Sequence, residues 1–376
     1  MRKTYKFKAK LSKSAEENAV VWLGLNQKLY NLALEQRIIA HKCFDISLSA
    51  YDQSKELPDL KRDFPEFKQV NSQVLQDTVE RVGKAFQGFF SRLKKMGEKA
   101  GFPRFKSYHR YDSFTLKTSG WKLDGRHLKI KGIGILKLFL SREIEGRIKT
   151  INVRRDSCGD WWVSFSCDGV PERSFPEPRA ELVGIDVGIA HFSTDTEGLH
   201  VANPKYYRKA QEELRRKQRK VSRRKKGSNR RKKAVNELAK AHRKVANMRL
   251  DFLHKTANYY ITNFQMICIE ALKVKNMVKN RHLSKSIADA GWSTFFELLT
   301  YLCPLGCKAA EAGRELVKVN PKNTSQNCSG CGEKARKSLA TRVHHCPYCG
   351  LSLDRDVNAA RNIAATGHGL CLQALT

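Results

Sequence analysis

Two Cys-x2-Cys pairs, Cys328/Cys331 and Cys346/Cys349, stand 14 residues apart near the end of this 376-residue chain, each followed by a glycine, Gly332 and Gly350. Two thiolates on one tight turn can grip one metal ion, and two such turns complete a tetrahedron, so the spacing predicts a zinc ribbon. Four sulfurs close the site, which makes the expected Zn²⁺ structural and leaves His344 and His345 as bystanders. The second pair runs directly into Asp354 and Asp356, which open a helix-like stretch, "DRDVNAARNI". A metal knuckle and a pair of acids therefore compete for the same few residues. The other seven cysteines are scattered; Cys303 and Cys307 read as packing or surface thiols. The N-terminus, "MRKTYKFKAK", lacks the apolar core of a signal peptide, so a reduced cytosolic setting is expected rather than a disulfide framework.

Charge narrows the partner. The chain carries 71 Lys and Arg against 37 Asp and Glu, a net charge of +34, on an otherwise globular composition with 41% hydrophobic residues. An excess of one sign on that scale implies a polyanion partner. No apolar run approaches the ~20 residues of a spanning helix, so nucleic acid is favoured over a membrane.

Residues 3–11 alternate, with Tyr5, Phe7, Ala9 and Leu11 on one face and Lys6, Lys8 and Lys10 on the other, which predicts a half-buried strand. Ser14 and Glu17 have capping-box spacing and predict a helix running to about His41. A second long helix is expected over about Ser72–Lys99. Short runs over 104–170, "SFTLK", "HLKIKG", "ILKLFL", "TINVRR" and "WWVSFS", predict an antiparallel sheet or barrel that the first strand joins, making 14–99 a helical insertion. A Pro-rich boundary, "PERSFPEPRAE" (171–181), follows. Beyond it the order becomes β-β-β-α-β-α-β, with a helix over 292–313 and then a last helix from about Asp356. That is the element order of an RNase H-like α/β domain.

Three acids end apolar stretches: Asp186 in "VGIDVG", Glu270 in "MICIE", and Asp356 at the last helix. A single such acid reads as a strand end facing solvent. Three in this element order suggest a carboxylate cluster, whose mutual repulsion divalent cations would cancel while activating water for phosphodiester hydrolysis. Carboxylate oxygens suit Mg²⁺, two ions of it in the two-metal scheme.

The run Lys205–Lys233 holds 16 Lys and Arg, opposed only by Glu212 and Glu213. Leu214 and Val221 are seven apart, as are Leu238, Val245 and Phe252, so an apolar stripe underlies the charge, and Gly227-Ser228-Asn229 reads as a turn between two helices. A docked basic hairpin follows a phosphate backbone rather than reading bases. The candidate contacts are Arg215, Arg216, Arg219, Arg223, Arg224, Lys225, Arg230 and Arg231.

With these residues in view, "GIDVGIAHFSTDTEG", "SRRKKGSNRRKKAVNELAKAHRKVANMRLDFLHK", "VNPKNTSQNCSGCG" and "DRDVNAARNI" resemble the insertion-sequence TnpB proteins, and "GEKAGFPRFKSYHRYDSFTL" resembles their N-terminal half. The resemblance implies an RNA-guided DNA endonuclease related to the ancestors of the type V CRISPR effectors. Its guide RNA derives from a transposon end, and it cuts double-stranded DNA beside a short adjacent motif with one RuvC site. It implies a multidomain α+β fold: a wedge β-barrel (1–13 and 100–172), a helical recognition insertion (14–99), a RuvC-like nuclease domain (173–320 and 351–376) and a zinc ribbon (321–350). By motif it assigns Asp186, Glu270 and Asp356 as the catalytic Mg²⁺ ligands and Cys328, Cys331, Cys346 and Cys349 as the Zn²⁺ ligands. It leaves Asp354 as a helix cap or as a group that supports the metal ligands without binding the metal. The sequence departs from the family at Ala271, where Asp is commoner, and in "YLCPLGCKAAEAG". The expected protein is a monomer in the cytoplasm, associated with a prokaryotic nucleoid. The alternatives are a nuclease-inactive RNA-guided repressor and a zinc-ribbon transposase acting directly on DNA ends.

Overall fold

The computed structural model describes residues 1–95, 100–171, 175–302, 314–335, 338 and 341–375. It divides into two compact units, Met1–Pro171 and Glu172–Thr376.

In the first unit, β1 (Lys3–Leu11) leads into helices α1 (Lys13–Phe44), α2 (Ala50–Lys55), α3 (Leu57–Asp63) and α4 (Ser72–Leu93). Six strands follow: β2 (Ser113–Leu116), β3 (Trp121–Asp124), β4 (His127–Ile130), β5 (Gly134–Phe139), β6 (Arg147–Arg155) and β7 (Trp161–Asp168). They join β1 in a seven-stranded sheet of order β2-β6-β7-β1-β5-β4-β3. β1 pairs antiparallel with both β7 and β5, so the N-terminal strand does belong to the sheet and the helices are inserted after it. The edges β2 and β3 are not paired with each other among the described residues, so hydrogen bonding does not close a barrel there. The alternation in β1 buries Tyr5, Phe7 and Ala9 and leaves the intervening lysines outside. Trp22 of α1 meets the Phe114 ring edge-on at 5.4 Å, and both are buried. Burying each such large side chain contributes roughly 1.5–3 kcal/mol.

Two sequence expectations shift here. The first helix is capped by Ser12 rather than Ser14, because β1 ends at Leu11 and the Ser12 hydroxyl accepts from the Ala15 amide at 3.2 Å. The second long helix stops at Leu93, short of the expected Lys99; residues 96–99 lie outside the described residues.

The second unit runs β8 (Ala180–Val187), β9 (His191–Asp195), β10 (His200–Ala202), α5 (Tyr206–Ser222), α6 (Asn229–Asn263) and β11 (Phe264–Glu270). It continues with α7 (Val274–Met277), α8 (Ser284–Ala290), α9 (Trp292–Leu302), β12 (Glu315–Val319), β13 (Val343–His345), β14 (Ser352–Asp354) and α10 (Arg355–Leu375). This follows the element order read from the sequence, with the short helices α7 and α8 added. Helix residues beyond 302, and with them Cys303 and Cys307, lie outside the described residues.

The main sheet has the order β10-β9-β8-β11-β12. β8, β11 and β12 are parallel, whereas β9 and β10 are antiparallel additions. Strands alternate faces with period two. Val183, Ile185, Ile267, Ile269 and Leu316 therefore pack with α6 and α9 residues such as Leu253, Tyr260 and Phe295. The opposite parity, Leu182, Met266, Cys268, Val317 and Val319, packs with Ile363 of α10. Both faces being covered explains why "MICIE" reads as one continuous apolar run.

The approach of α10 depends on two glycines. A methyl group at Gly184 would lie 2.0 Å from the carbonyl oxygen of Ala360, and one at Gly367 would lie 2.2 Å from the Cys268 sulfur. Neither position leaves room for a side chain.

Candidate metal centres and nucleic-acid interface

Parity decides where two of the acids point. Asp186 continues the 182–184 face of β8, and Glu270 continues the 266–268 face of β11, so both turn toward the side that α10 covers. Ile185 and Ile269 are partners across the parallel ladder, and the next residue on each strand is the acid. Asp356 lies in the first turn of α10. Three segments far apart in sequence thus converge at the C-terminal end of β8 and β11.

Glu270 and Asp356 are each about nine-tenths buried. Burial pushes the Asp186 carboxyl well above its ordinary range, and the charges of Glu270 and Asp356 push it further. Arg355 opposes the shift. Burial also raises Glu270, against a hydrogen bond from Thr324. The Arg355 guanidinium donates to Asp356 Oδ1 at 3.1 Å, and Arg342 stands 3.9 Å from Oδ2. Asp354 takes no place in the cluster: its Oδ1 accepts from the amides of Asp356 and Val357 at 2.8 and 3.1 Å, capping α10. Ala271, the departure from the family pattern, is exposed beside Glu270 and uses its amide on the Val319 carbonyl at 2.8 Å. The adjoining cleft, about 450 Å³, is lined by Glu270, Lys273, Lys275, Asn276 and Lys318 among others.

The four cysteines form a closed set. All four sulfurs lie within 4.8 Å of one another, with Cys328–Cys349 and Cys331–Cys346 at 3.6 Å. A tetrahedron with Zn–S bonds of ~2.3 Å has edges of about 3.8 Å, so the geometry fits Zn²⁺. Gly332 and Gly350 take positive φ and return their amides to the carbonyls of Cys328 and Cys346 at 2.9 and 3.0 Å, which closes each knuckle. His344 and His345 stand on β13 outside the set. The carboxylates do not form such a closed group.

The hairpin of α5 and α6 turns at 223–228, with Ser228 as the N-cap of α6. Leu214, Val221 and Val245 are buried beneath it. Arg215, Arg216, Arg219, Arg223, Arg224, Lys225 and Arg230 are exposed, and Arg216, Arg219, Arg223 and Arg224 line a hollow with Lys220. Arg231 is different: it is half-buried and donates to the carbonyls of Val221 and Arg224 at 2.8 and 3.2 Å, finishing α5.

Sequence reasoning missed the polar residues that tie these parts together. Thr324, Asn358 and Asn362 all belong to motifs quoted above, and Asn358 is wholly buried. Asn358 and Asn362 are spaced i, i+4 and so share one face of α10, which was the available signal.

A parallel-centred sheet with carboxylates at its C-terminal edge and a four-cysteine cluster in the same unit define a mixed α/β fold with a candidate zinc site. Residues 164–281 match the family model OrfB_IS605, described as "Probable transposase", and residues 292–363 match Cas12f1-like, TNB domain. The Escherichia coli (strain K12) protein called "Putative RNA-guided DNA endonuclease InsQ" is 30% identical over 80% of this chain and 75% of its own length. A Streptomyces pristinaespiralis protein of the same designation, without the InsQ name, is 34% identical over 92% of this chain and 84% of its own. The CRISPR-associated endodeoxyribonuclease Cas12f1 of Sulfoacidibacillus thermotolerans matches at 29% identity over 32% of the chain and 28% of its own length. A solved Cas12f1–sgRNA–target DNA complex overlaps 97% of this chain and 99% of its own at 17% identity, with a TM-score of 0.35. The chain belongs to the TnpB family of transposon-encoded RNA-guided DNA endonucleases. Among the described residues, no helix is long and apolar enough to cross a membrane.

Proposed function

We propose that this chain is an RNA-guided DNA endonuclease that cuts double-stranded DNA at a single RuvC-type site. The observation that carries the reading is the convergence of Asp186, Glu270 and Asp356, from β8, β11 and α10, on one sheet face. Like charges brought together at the cost of burial point to cationic ligands, and an all-oxygen donor set fits Mg²⁺. When bound, a Mg²⁺ pair supplies an activated water and stabilises the leaving oxygen. The three carboxylates would hold it. Lys273, Lys275 and Lys318 in the adjoining cleft would neutralise the phosphates of the strand being cut.

The domain roles follow. Residues 1–13 and 100–172 would form the wedge, with 14–99 as the recognition insertion. Residues 173–320 and 351–376 would form the nuclease domain, with the ribbon at 321–350. The exposed arginines of the α5–α6 hairpin would follow a guide or target backbone, while Arg231 holds the hairpin's turn. Sequence specificity would come from guide pairing, leaving the protein a short adjacent motif and duplex shape to read. The presence of all three acids favours a nuclease over an inactive repressor. The test is to purify the protein, sequence the RNA that accompanies it, and supply that RNA with a matched DNA. One RNA species bordering the element and stimulating cleavage is expected. Absence of any bound or stimulating RNA contradicts the reading.

A further inference from the structure

We propose that the Thr324 hydroxyl is a positioning group for Glu270, orienting its carboxylate for metal binding through a polar clamp between α10 and the base of the cysteine ribbon. This rests on reading Asp186, Glu270 and Asp356 as the metal-holding acids.

Glu270 ends β11, its backbone still paired with Val319 of β12, but strand pairing leaves the rotation of its carboxylate free. The Thr324 hydroxyl donates to Glu270 Oε1, and both residues are more than nine-tenths buried. The same hydroxyl also faces the Pro321 carbonyl at 3.2 Å. It has one proton, and a carboxylate is the stronger acceptor. Engaging Oε1 leaves Oε2 for a cation. Hydrogen bonds to a ligating carboxylate are the usual means of fixing its orientation.

Thr324 is itself held. Its carbonyl accepts from Asn362 Nδ2 at 2.8 Å, and the same amide reaches the Asn327 carbonyl at 2.8 Å. Asn358 donates to the Asn327 carbonyl at 2.7 Å and accepts from the Ser329 amide at 2.9 Å. Ser329 adjoins the ligand Cys328. Residues 324–329 are thereby pinned to the helix that carries Asp356. One helix presents the third acid and, through two asparagines, sets the threonine that addresses the second. The clamp makes the spacing of Glu270 and Asp356 a single geometric unit.

The experiment uses full-length, zinc-loaded protein. Thr324→Val removes the hydroxyl at nearly constant volume, and Thr324→Ser keeps it. Mn²⁺ binding is titrated by electron paramagnetic resonance, beside zinc content, melting temperature and the Mg²⁺ dependence of cleavage. We expect Thr324→Val to weaken Mn²⁺ binding by about tenfold or more and to raise the Mg²⁺ requirement in parallel. Zinc content and melting temperature should stay at parental values, and Thr324→Ser should bind Mn²⁺ nearly as the parent does. Parental Mn²⁺ affinity in Thr324→Val overturns the proposal. So does a serine variant as weak as the valine one, or a melting temperature that falls with the affinity, which marks a merely structural hydroxyl. If the parent binds no Mn²⁺ at this site, or Asp186→Ala binds it equally well, the acidic-site reading itself fails and this proposal falls with it.

Discussion

Gly184 of β8 and Ala360 of α10 approach so closely that a methyl group on the glycine would sit 2.0 Å from the alanine carbonyl oxygen. This contact sets the height of α10 over the sheet and hence the position of Asp356 relative to Asp186. Gly184→Ala must lift the helix. Overpacking of this kind costs about 1–3 kcal/mol. A melting temperature lowered by several degrees, with DNA cleavage lost by a larger factor than guide-RNA binding, is the expected pattern. Parental cleavage in Gly184→Ala would show that α10 does not need this contact.

The cysteine ribbon should depend on its metal for folding. Cys328→Ser and Cys346→Ser each remove a buried thiolate from a closed tetrahedral set. Several kcal/mol of metal-linked stability should go with it. Elemental analysis should give about one zinc per parental chain and markedly less in either variant. Because Asn358 and Asn362 fasten the first knuckle to α10, cleavage should fall as well.

The basic hairpin predicts a salt signature. Replacing Arg216, Arg219 and Arg223 by alanine should lower the slope of log K against log salt by about 2–3, since each phosphate contact contributes roughly 0.7–0.9. Arg231→Ala should behave differently. Its guanidinium completes the end of α5, so the expected loss is in hairpin stability, measured by hydrogen exchange, more than in salt slope.

The pH dependence follows from the raised carboxyl of Asp186, caused first by burial and then by Glu270 and Asp356. Above the ordinary carboxylate range the unfolded chain has lost the proton that the metal-free fold retains. Between the two pKa values the folded state binds more protons, so stability falls as pH rises. Asp186→Asn should therefore raise the melting temperature of metal-free protein near pH 7. The gain should shrink as pH falls toward the ordinary Asp range and vanish below about pH 3, where the acid is protonated in both states. Mg²⁺ should stabilise the parent and leave Asp186→Asn unmoved.

Much of this molecule was legible in its sequence because the signals were periodic or spaced. Alternation in residues 3–11 gave β1 and its buried face, the heptad stripe with Gly227-Ser228-Asn229 gave the α5–α6 hairpin, and Cys-x2-Cys gave the sulfur cluster. Period-two parity could also have placed Asp186 and Glu270 on one face, once α10 was known to cover it. The cap of α1 lies two residues before the capping-box spacing puts it, because strand and helix meet there with no intervening turn. Arg231 looks like its neighbours in sequence, since composition does not distinguish a guanidinium spent on helix-end carbonyls from one in solvent. Thr324 carried no local signal for its role, because Glu270 and Asn362 lie 54 and 38 residues away in sequence, and the two asparagines showed only their i, i+4 spacing.

Asp186, Glu270 and Asp356 are proposed to form one cation-dependent cutting site. This is tested most directly by cleavage of a guide-matched plasmid, with and without Mg²⁺, by the parent and by Asp186→Ala carrying the same RNA. Mg²⁺-dependent linearisation by the parent and none by the variant is expected, with RNA content equal in the two. Cutting by Asp186→Ala at the parental rate, or parental cutting undiminished in EDTA, would contradict it.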